Sequence, residues 1–183
     1  MRQILAEGKY LRLVKQGQYE FVERTHKGGV AVLVAVTQNQ EIVLVEQHRV
    51  SLNSRTIELP AGLVGDLCED EKIEDAAKRE LIEETGFEAS SLEKIGYWPS
   101  SSGTSAEMLT IFYASELKKV SQGGGVESEN IKVHVVPLMR AHDWLEQQSR
   151  NEILIDSKLY SGLYIAHYKL NLALCNASLS IQT

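Results

Sequence analysis

The segment Gly65–Phe87, GDLCEDEKIEDAAKRELIEETGF, constrains the fold more than any other part of this 183-residue chain. Its stretch KIEDAAKRELIEET contains neither Gly nor Pro and is rich in strong helix formers, so we predict a helix there. The helix should end at Gly86, because a left-handed residue is usually needed at that point. One apolar stripe, suited to packing on a core, is formed by residues that recur every four positions: Ile73, Ala77 and Leu81.

Three glutamates project from one face of this predicted helix. Glu80, Glu83 and Glu84 are spaced i, i+3, i+4, so their carboxylates converge about one turn apart. Arg79 precedes Glu83 by four residues and can pair with it. Like charges packed on one face repel, and a hard divalent cation with oxygen ligands relieves this; Mg²⁺ also keeps positions open for phosphates and water. The alternative interpretation is an ordinary solvated acidic helix face.

The complete pattern resembles the Nudix box, G-x5-E-x7-R-E-U-x-E-E-x-G-U, where U is an aliphatic or aromatic residue. It runs from Gly65 through Glu71 to Phe87, with a match at every specified position. The resemblance implies a Mg²⁺-dependent Nudix hydrolase, with Mn²⁺ as an alternative ion, that cleaves diphosphates attached to a nucleoside. It also implies an α/β/α sandwich with a mixed β-sheet. In this scheme Arg79 orients the glutamates and Glu71 caps or braces the loop.

The rest of the chain alternates strand and helix patterns, which predicts an α/β fold. Strands are expected at residues 30–36, 41–47, 92–98, 108–114 and 131–136, a loop at 49–60 and a last helix at 155–174. After Pro137 a helical pattern places Met139, Trp144 and Leu145 on one side. Residues 1–40 are expected to form an N-terminal strand segment and residues 41–183 the Nudix domain, together one globular unit. In the pyrophosphatases that this chain resembles, such a segment packs on a second subunit, so residues 1–40 are the candidate homodimer contact.

The composition of the chain indicates which kinds of partner it binds and in which compartment it works. The net charge is −6 and no Lys/Arg run stands out, which argues against binding to RNA or another extended polyphosphate. The longest apolar run, VAVLVAV at residues 30–36, is too short to cross a membrane, and no signal peptide is visible. Cys68 and Cys175 lack metal-site spacing and are expected to be free thiols in a reducing cytoplasm.

Sequences that flank the box resemble the branch of ADP-ribose and nucleoside diphosphate sugar pyrophosphatases. Arg49 closes the segment VEQHR and offers a planar fork for phosphate or base. Glu58 opens the segment ELPAG, in which the backbone carbonyl of Ala61 is the metal ligand that the resemblance implies. After the box comes a loop of small residues suited to lie against the diphosphate or sugar: Gly103, Thr104 and Ser105.

Two departures from that branch bear on these assignments. Ser101 stands where ADP-ribose enzymes usually carry Pro, which leaves room for other nucleoside diphosphate sugars. The box begins at Gly65, three residues beyond the Gly of the Pro-Ala-Gly motif. Either Ala61 or Val64 therefore presents the carbonyl, and we favour Ala61.

A general base is also required, because the helix glutamates would be occupied by metal. In the branch it comes from a mobile loop ahead of a strand similar to IKVHVV, and here that loop holds Glu127 and Glu129 behind Gly123–Gly125. We assign Glu127 as the base and Glu129 as a metal ligand or alternate base; the glycines would let the loop close over substrate. Glu80 and Glu84 are assigned as metal ligands, with Glu83 as a further ligand or bridging carboxylate. The alternative for the loop that holds Glu127 and Glu129 is a disordered acidic hairpin with no role in catalysis.

The expected reaction is attack of water on one phosphorus, giving a nucleoside monophosphate and a sugar phosphate. One alternative is house-cleaning hydrolysis of nucleoside triphosphates or dinucleoside polyphosphates. A second is trimming of RNA 5′ ends, which the charge disfavours. A third is a non-catalytic nucleotide-sensing Nudix module, which would be expected to lose box glutamates, and none is lost here.

Overall fold

The computed structural model describes residues 1–26, 28–65, 68, 70–125 and 130–180, with the backbone alone for residues 174–180. Its strands are β1 (Arg2–Glu7), β2 (Leu11–Gln16), β3 (Tyr19–Arg24), β4 (Val30–Val36), β5 (Glu41–Arg49), β6 (Ser54–Glu58), β7 (Ala61–Leu63), β8 (Phe87–Pro99), β9 (Met108–Lys119), β10 (Lys132–Pro137) and β11 (Leu154–Ile155). Its α-helices are α1 (Ile73–Glu80), α2 (Ala141–Arg150) and α3 (Ser157–Ser180). Within this described part, no helix has both the length and the apolar composition needed to span a bilayer.

The main sheet is mixed, as predicted. Its strand order is β11-β6-β5-β4-β9-β8, with β10 also paired to β5 and β7 to β4. The β4–β9 and β6–β11 pairs are parallel, and the remaining pairs are antiparallel. Strand β4 is the continuous apolar run VAVLVAV, and it is buried from Ala31 to Val36 because both faces of the sheet are covered.

Alternate residues of β4 enter two separate cores. Val32 and Val34 pack in a cluster that includes Leu145 of α2 and Leu159 of α3. Ala31 and Leu33 enter the other cluster with residues of α1 and the turn after it, Ala77 and Leu81. Helices therefore cover both faces of the sheet, and the predicted α/β/α sandwich is confirmed.

The box helix forms where the sequence predicts it, but its last turn widens. α1 continues into a π-helical turn, Leu81–Thr85, and ends at Gly86, which has a φ of 72° in the left-handed region. Of the predicted stripe, Ala77 and Leu81 are fully buried and Ile73 is partly buried. The apolar side of the helix therefore packs in the core.

A smaller antiparallel sheet, β1-β2-β3, precedes the main one. It is attached through Val22, whose backbone NH donates to the Thr104 carbonyl at 2.9 Å and whose carbonyl accepts from the Ala106 NH at 2.9 Å. The expected segment of residues 1–40 thus divides between the two sheets, since β4 lies at the centre of the main one. Every residue of β1 is exposed.

Two expectations about local structure were wrong. The predicted loop at residues 49–60 contains strand β6, which lies between β5 and β11 in the sheet and buries Ile57. Met139 does not share the buried side of the following helix, because it lies in a short 3₁₀ turn and is 75% exposed, whereas Leu145 is buried.

Candidate active site

A cavity of about 420 Å³ opens where the C-terminal end of α1 meets β5, β6 and β7. It brings together most of the residues singled out in the sequence. Its lining includes Arg49, Glu58, Ala61, Arg79, Glu80, Glu83 and Glu84. Four polar residues that the sequence analysis did not select also line it: Arg24, Gln47, Glu107 and Lys158.

Arg79 connects the helix to the loop before it. Its Nε donates to Glu71 Oε1 at 2.9 Å and its Nη2 donates to the Leu63 carbonyl at 3.1 Å. Its Nη1 reaches Glu80 Oε1 at 2.7 Å and Glu83 Oε2 at 3.3 Å. The hydrogen bonds with Glu71, and then its interaction with Glu80, raise the pKa of Arg79 above its usual value. This side chain therefore contacts two of the three helix glutamates, and the predicted pair with Glu83 is present.

Glu71 braces the loop, also as predicted. Its Oε2 accepts from the Gly65 NH at 2.9 Å while both oxygens accept from Arg79. The Arg79 hydrogen bonds, followed by that from Gly65, lower the pKa of Glu71. Gly65 has a φ of 83°, a conformation that L side chains rarely adopt, which explains glycine at the first box position.

Glu80 and Glu84 are buried carboxylates against strand β7. Glu84 Oε2 accepts from the Ala61 NH at 3.0 Å. The Glu80 carboxylate lies directly over Gly62, where the space that a Cβ would occupy is filled by that carboxylate. Their exposed fractions are only 9% for Glu80 and 5% for Glu84. Burying two carboxylates is costly unless cationic or donor groups surround them.

This set of donors fits a hard divalent cation. The three helix carboxylates and the backbone of Ala61 supply only oxygen atoms, the ligands that Mg²⁺ prefers. Among the described residues, no three acidic, His or Cys side chains already stand as a metal cluster. Glu80 accepts a hydrogen bond from Arg79, and Glu84 accepts one from the Ala61 NH. An incoming ion would compete with these two donors for the carboxylates.

The structure bears on the choice between Ala61 and Val64 as carbonyl donor. Ala61 lines the cavity. The Val64 carbonyl oxygen lies 3.2 Å from His26 Nε2, and it closes the space beside Gly28. Val64 is itself buried and is not part of the cavity wall. This arrangement favours Ala61.

Arg49 and Glu58, which also line the cavity, form an ion pair with two hydrogen bonds. Arg49 Nε and Nη2 donate to the two oxygens of Glu58, each at 2.6 Å. These hydrogen bonds raise the pKa of Arg49. Glu58 is buried and Arg49 is partly exposed at the cavity mouth. The pair holds the Arg fork in a fixed plane.

The four additional lining residues come from distant parts of the chain. Arg24, at the end of β3, pairs with Glu107 at 2.5 Å, so the N-terminal sheet contributes a side chain to the cavity. Lys158, in the first turn of α3, pairs with Asp156 at 2.5 Å. Gln47 belongs to the VEQHR segment and lies two residues before Arg49 on β5. Because alternate residues of a strand share a face, this spacing is a sequence signal that could have placed Gln47 beside Arg49 in the cavity.

Gly103, Thr104 and Ser105 do not line the cavity. They follow β8 and lie against the N-terminal sheet, where the Thr104 carbonyl accepts from Val22. Ser105 Oγ accepts from the Glu107 NH at 3.0 Å, so the loop supports a residue that does line the cavity. Contact of these three residues with substrate stays a prediction.

The glycines after β9 have a packing role that the sequence did not predict. The NH groups of Gly124 and Gly125 donate to the carbonyls of Glu84 and Glu83 at 2.8 and 3.0 Å. All three glycines of Gly123–Gly125 have positive φ, and Gly123 lies against the backbone of Thr85. The segment therefore closes the C-terminal end of the box helix. Glu127 and Glu129, the predicted base and its alternate, lie outside the described residues.

Comparison with known proteins agrees with this geometry. The NUDIX domain model matches residues 26–156, most of the chain. The chain belongs to the NUDIX family. The match begins close to β4 and ends just before α3, so it contains the box helix and nearly all of the cavity wall.

Curated relatives of the chain carry several different names. The chain is 38% identical over 124 residues to an ADP-ribose pyrophosphatase of Bacillus subtilis, and this match covers 67% of the chain and 65% of the relative. It is 32% identical over 127 residues to a GDP-mannose pyrophosphatase of Cronobacter sakazakii, covering 65% and 64%. It is 36% identical over 104 residues to a methanol dehydrogenase activator of Bacillus methanolicus, covering 57% and 54%. The chain thus spans less than two thirds of the length of each of these three relatives.

One solved structure, described as an ADP compounds hydrolase, shares the fold. Its TM-score is 0.71 at 20% identity, and the match covers 93% of this chain and 92% of that one. The likeness extends beyond the NUDIX match to both the N-terminal strands and the C-terminal helix.

Proposed function

We propose that this NUDIX protein hydrolyses the diphosphate bond of nucleoside diphosphate sugars such as ADP-ribose, with Mg²⁺ as the working ion and Mn²⁺ as a substitute. The products would be a nucleoside monophosphate and a sugar phosphate. The observation that carries the proposal is the pair of buried carboxylates, Glu80 and Glu84, at the wall of a cavity also lined by Arg49 and Arg79. The names of the pyrophosphatase relatives support this substrate class.

Glu80, Glu83, Glu84 and the Ala61 carbonyl would hold the ion in this proposal. When bound, a divalent ion neutralises phosphate charge and lowers the pKa of a bound water. Arg79 restrains Glu80 and Glu83 so that their carboxylates enter the cavity from one side. Arg49, held in plane by Glu58, faces the cavity as a donor for a phosphate or for the base.

The proton of the attacking water would pass to Glu127, with Glu129 as the alternate base or a metal ligand. The support for this assignment is positional. The described residue before these two, Gly125, is hydrogen bonded to the carbonyl of Glu83, so the segment starts at the metal-binding turn. Gln replacements at each position distinguish the two roles, since loss of the base lowers kcat with little change in KM.

A homodimer and a reducing compartment complete the proposal. Exposed apolar side chains on and beside the N-terminal sheet support a contact with a second copy: Ile4, Leu5, Tyr10, Leu11 and Tyr19. The exposed free thiol of Cys68 supports a cytoplasmic location.

A substrate panel tests the reaction class. ADP-ribose, GDP-mannose, UDP-glucose, diadenosine polyphosphates and dNTPs would be compared by kcat/KM in the presence of Mg²⁺. We expect the nucleoside diphosphate sugars to exceed dNTPs and dinucleoside polyphosphates. The reverse order would favour the house-cleaning alternative, and binding without turnover across the panel would favour a sensor.

Replacement of Glu84 by Gln tests the metal assignment. Glu84→Gln should lower kcat/KM by several orders of magnitude while the fold is kept, because the amide keeps the size of the side chain but loses its charge. Glu74→Gln is the matched control, since Glu74 is on the same helix, is exposed and lies outside the cavity. Near-native turnover by Glu84→Gln would contradict the assignment.

A further inference from the structure

A buried cluster of charged side chains lies on the face of the main sheet opposite the cavity. At its centre is Glu46 of β5, which is only 4% exposed. Gln47 and Arg49 of the same strand line the cavity, and successive side chains of a strand point to opposite faces. The Glu46 side chain therefore shares the other face with Leu44, which packs in the same core cluster as Leu145 of α2.

Three strands meet at the Glu46 carboxylate. Arg55 of β6 donates from its Nε to Glu46 Oε1. From β10, His134 Nε2 donates to Glu46 Oε2 at 2.7 Å, and Lys132 Nζ lies 3.8 Å from the same oxygen. The His134 ring also packs against Trp144 of α2, with ring centroids 4.9 Å apart. The Glu46 side chain thus connects β5, β6 and β10.

Arg55 extends this cluster to the segment that precedes β10. Its Nη2 donates to the backbone carbonyl of Glu46 at 3.0 Å and to that of Asn130 at 3.5 Å. The carbonyl of Asn130 and the NH of Ile131 belong to one peptide group, and that NH donates to the Gly124 carbonyl at 3.1 Å. This peptide group is therefore held at its oxygen by Arg55 and at its nitrogen by Gly124.

Glu46 also acts on this peptide group through β10. Lys132 is the first residue of β10, pairs with Glu46 in the ladder between β10 and β5, and directly follows Ile131. The Glu46 carboxylate contacts both Lys132 and His134 of this strand. The start of β10, and with it the NH of Ile131, is thus fixed by main-chain and side-chain contacts of one glutamate.

Gly124 leads from this peptide group to the π-helical turn Leu81–Thr85. Its NH donates to the Glu84 carbonyl at 2.8 Å, and the NH of Gly125 donates to the Glu83 carbonyl at 3.0 Å. The last carbonyls of a helix lack partners within the helix, so the turn depends on donors from outside. A misplacement of about 1 Å in an active site costs about 100-fold in rate, so the position of Gly124 matters for the carboxylates of Glu83 and Glu84.

We propose that Glu46 and Arg55 are positioning residues for the metal-binding turn. Neither residue is part of the cavity wall. Both act by orienting the peptide group between Asn130 and Ile131 and, through Gly124, the end of the box helix. The inference rests on the proposed function, because it assumes that the turn binds Mg²⁺. A charged cluster that only stabilised the sheet would instead lower stability and leave the turn unchanged.

Amide hydrogen exchange tests this route without metal, substrate or turnover. It is measured by NMR on the whole 183-residue chain. In Arg55→Lys a single ammonium can still pair with Glu46, but it lacks the planar fork that also reaches Asn130. Exchange at the NH groups of Gly124 and Ile131 should therefore become about 2- to 10-fold faster, as expected for loss of one hydrogen bond. Exchange in the ladder between β8 and β9 should stay native.

Binding of Mg²⁺ gives the functional readout. Calorimetric titration with Mg²⁺ alone measures the affinity, and hydrolysis of ADP-ribose measures the Mg²⁺ concentration needed for half-maximal rate. Arg55→Lys and Glu46→Gln should each raise the Kd and this concentration about 2- to 30-fold, the range for residues that act on a site through a connected network. Urea unfolding curves identify conditions in which each variant is fully folded, and the comparison is made there.

Glu93→Gln is the control, because Glu93 forms an ion pair with Lys169 that joins β8 to α3 and takes no part in this route. It should leave the Mg²⁺ affinity and the exchange at Gly124 unchanged. Values for Arg55→Lys and Glu46→Gln that match Glu93→Gln would overturn the proposal, and so would faster exchange at Gly124 with a native Mg²⁺ affinity. If Glu46→Gln does not fold, Arg55→Lys decides the question alone, since it keeps a cation beside the carboxylate.

The two proposals fail in different ways. If the wild type hydrolyses no nucleoside diphosphate sugar but Arg55→Lys alters both Mg²⁺ affinity and exchange at Gly124, the positioning role stands and the reaction class falls. If turnover is normal and both readouts stay native in Arg55→Lys and Glu46→Gln, only the positioning role falls.

Discussion

Adding one methyl group at Gly62 should disable the metal site while the fold survives. Gly62 lies in β7 with a backbone conformation that other residues adopt, so alanine introduces no strain in φ. A Cβ built there lies 1.8 Å from the Cδ of Glu80. Ordinary carbon contacts are about 3.5–4.0 Å, so the carboxylate must retreat by roughly 2 Å.

That displacement sets the size of the expected effect. Metal ligands tolerate deviations of only about 0.2 Å, and a misplacement of 1 Å in an active site costs about 100-fold in rate. We therefore expect Gly62→Ala to lower kcat/KM for ADP-ribose at least about 100-fold, or about 2.7 kcal/mol in activation free energy. Because the displaced group is the end of a flexible side chain, the free energy of unfolding should fall by only about 1–2 kcal/mol.

The assay combines a Mg²⁺ titration of kcat/KM with urea unfolding. Gly8→Ala is the control, since its Cβ would meet nothing closer than the Leu11 carbonyl oxygen at 3.5 Å. Gly62→Ala should need more Mg²⁺ for half-maximal activity, whereas Gly8→Ala should match the wild type. If Gly62→Ala hydrolyses ADP-ribose at the native rate with native Mg²⁺ dependence, the Glu80 carboxylate is not a metal ligand in its present position.

Three further predictions concern the surroundings of the site. The Arg79 guanidinium contacts three glutamates, and Arg79→Lys replaces it with a single ammonium group. We expect kcat/KM to fall about 10- to 100-fold. A native kcat/KM would show that the guanidinium is dispensable. Gly123→Ala places a Cβ against the backbone of Thr85 at a positive φ, so the free energy of unfolding measured in urea should fall by more than about 2 kcal/mol. Gly17→Ala is the control, because Gly17 has a similar φ but open space around it, and its loss should be about 1–2 kcal/mol. Equal losses in the two variants would refute the packing argument. Burial of Glu46 opposes its ionisation, but hydrogen bonds from His134 and Arg55 leave its pKa below the usual value. The ionised carboxylate therefore stabilises the fold at pH values above the unfolded-state pKa. This stabilisation is lost as pH falls through the folded-state pKa. Urea unfolding of Glu46→Gln should accordingly show a weaker decline in stability below about pH 5 than the wild type.

The elements that the sequence predicted well are those with strong local periodicity. The box helix and its end at Gly86 follow from a four-residue apolar repeat and a left-handed glycine, both of which are local signals. Strand β4 follows from an unbroken apolar run. In each case the residues that decide the structure are neighbours in the chain.

Strand β6 could not be predicted in the same way. Its sequence, SRTIE, is short and has one apolar residue among five, and its extended conformation depends on pairing with β5 on one side and β11 on the other. The same limit applies to the site. Arg24 and Lys158 reach the cavity from opposite ends of the chain, and no local pattern relates them to the box. The π-helical turn that carries Glu83 and Glu84 is likewise set by contacts with Gly124 and Gly125, about 40 residues later.

That long-range contact has a consequence for protein engineering. The backbone carbonyls of Glu83 and Glu84 accept hydrogen bonds from the beginning of the next loop, while their side chains line the cavity of the candidate active site. A loop transplanted from a relative to alter substrate choice would have to keep Gly123–Gly125. Without these residues the graft would leave the carboxylates on an unsupported helix end, and a lost activity would be misread as a failure of the new loop to recognise its substrate.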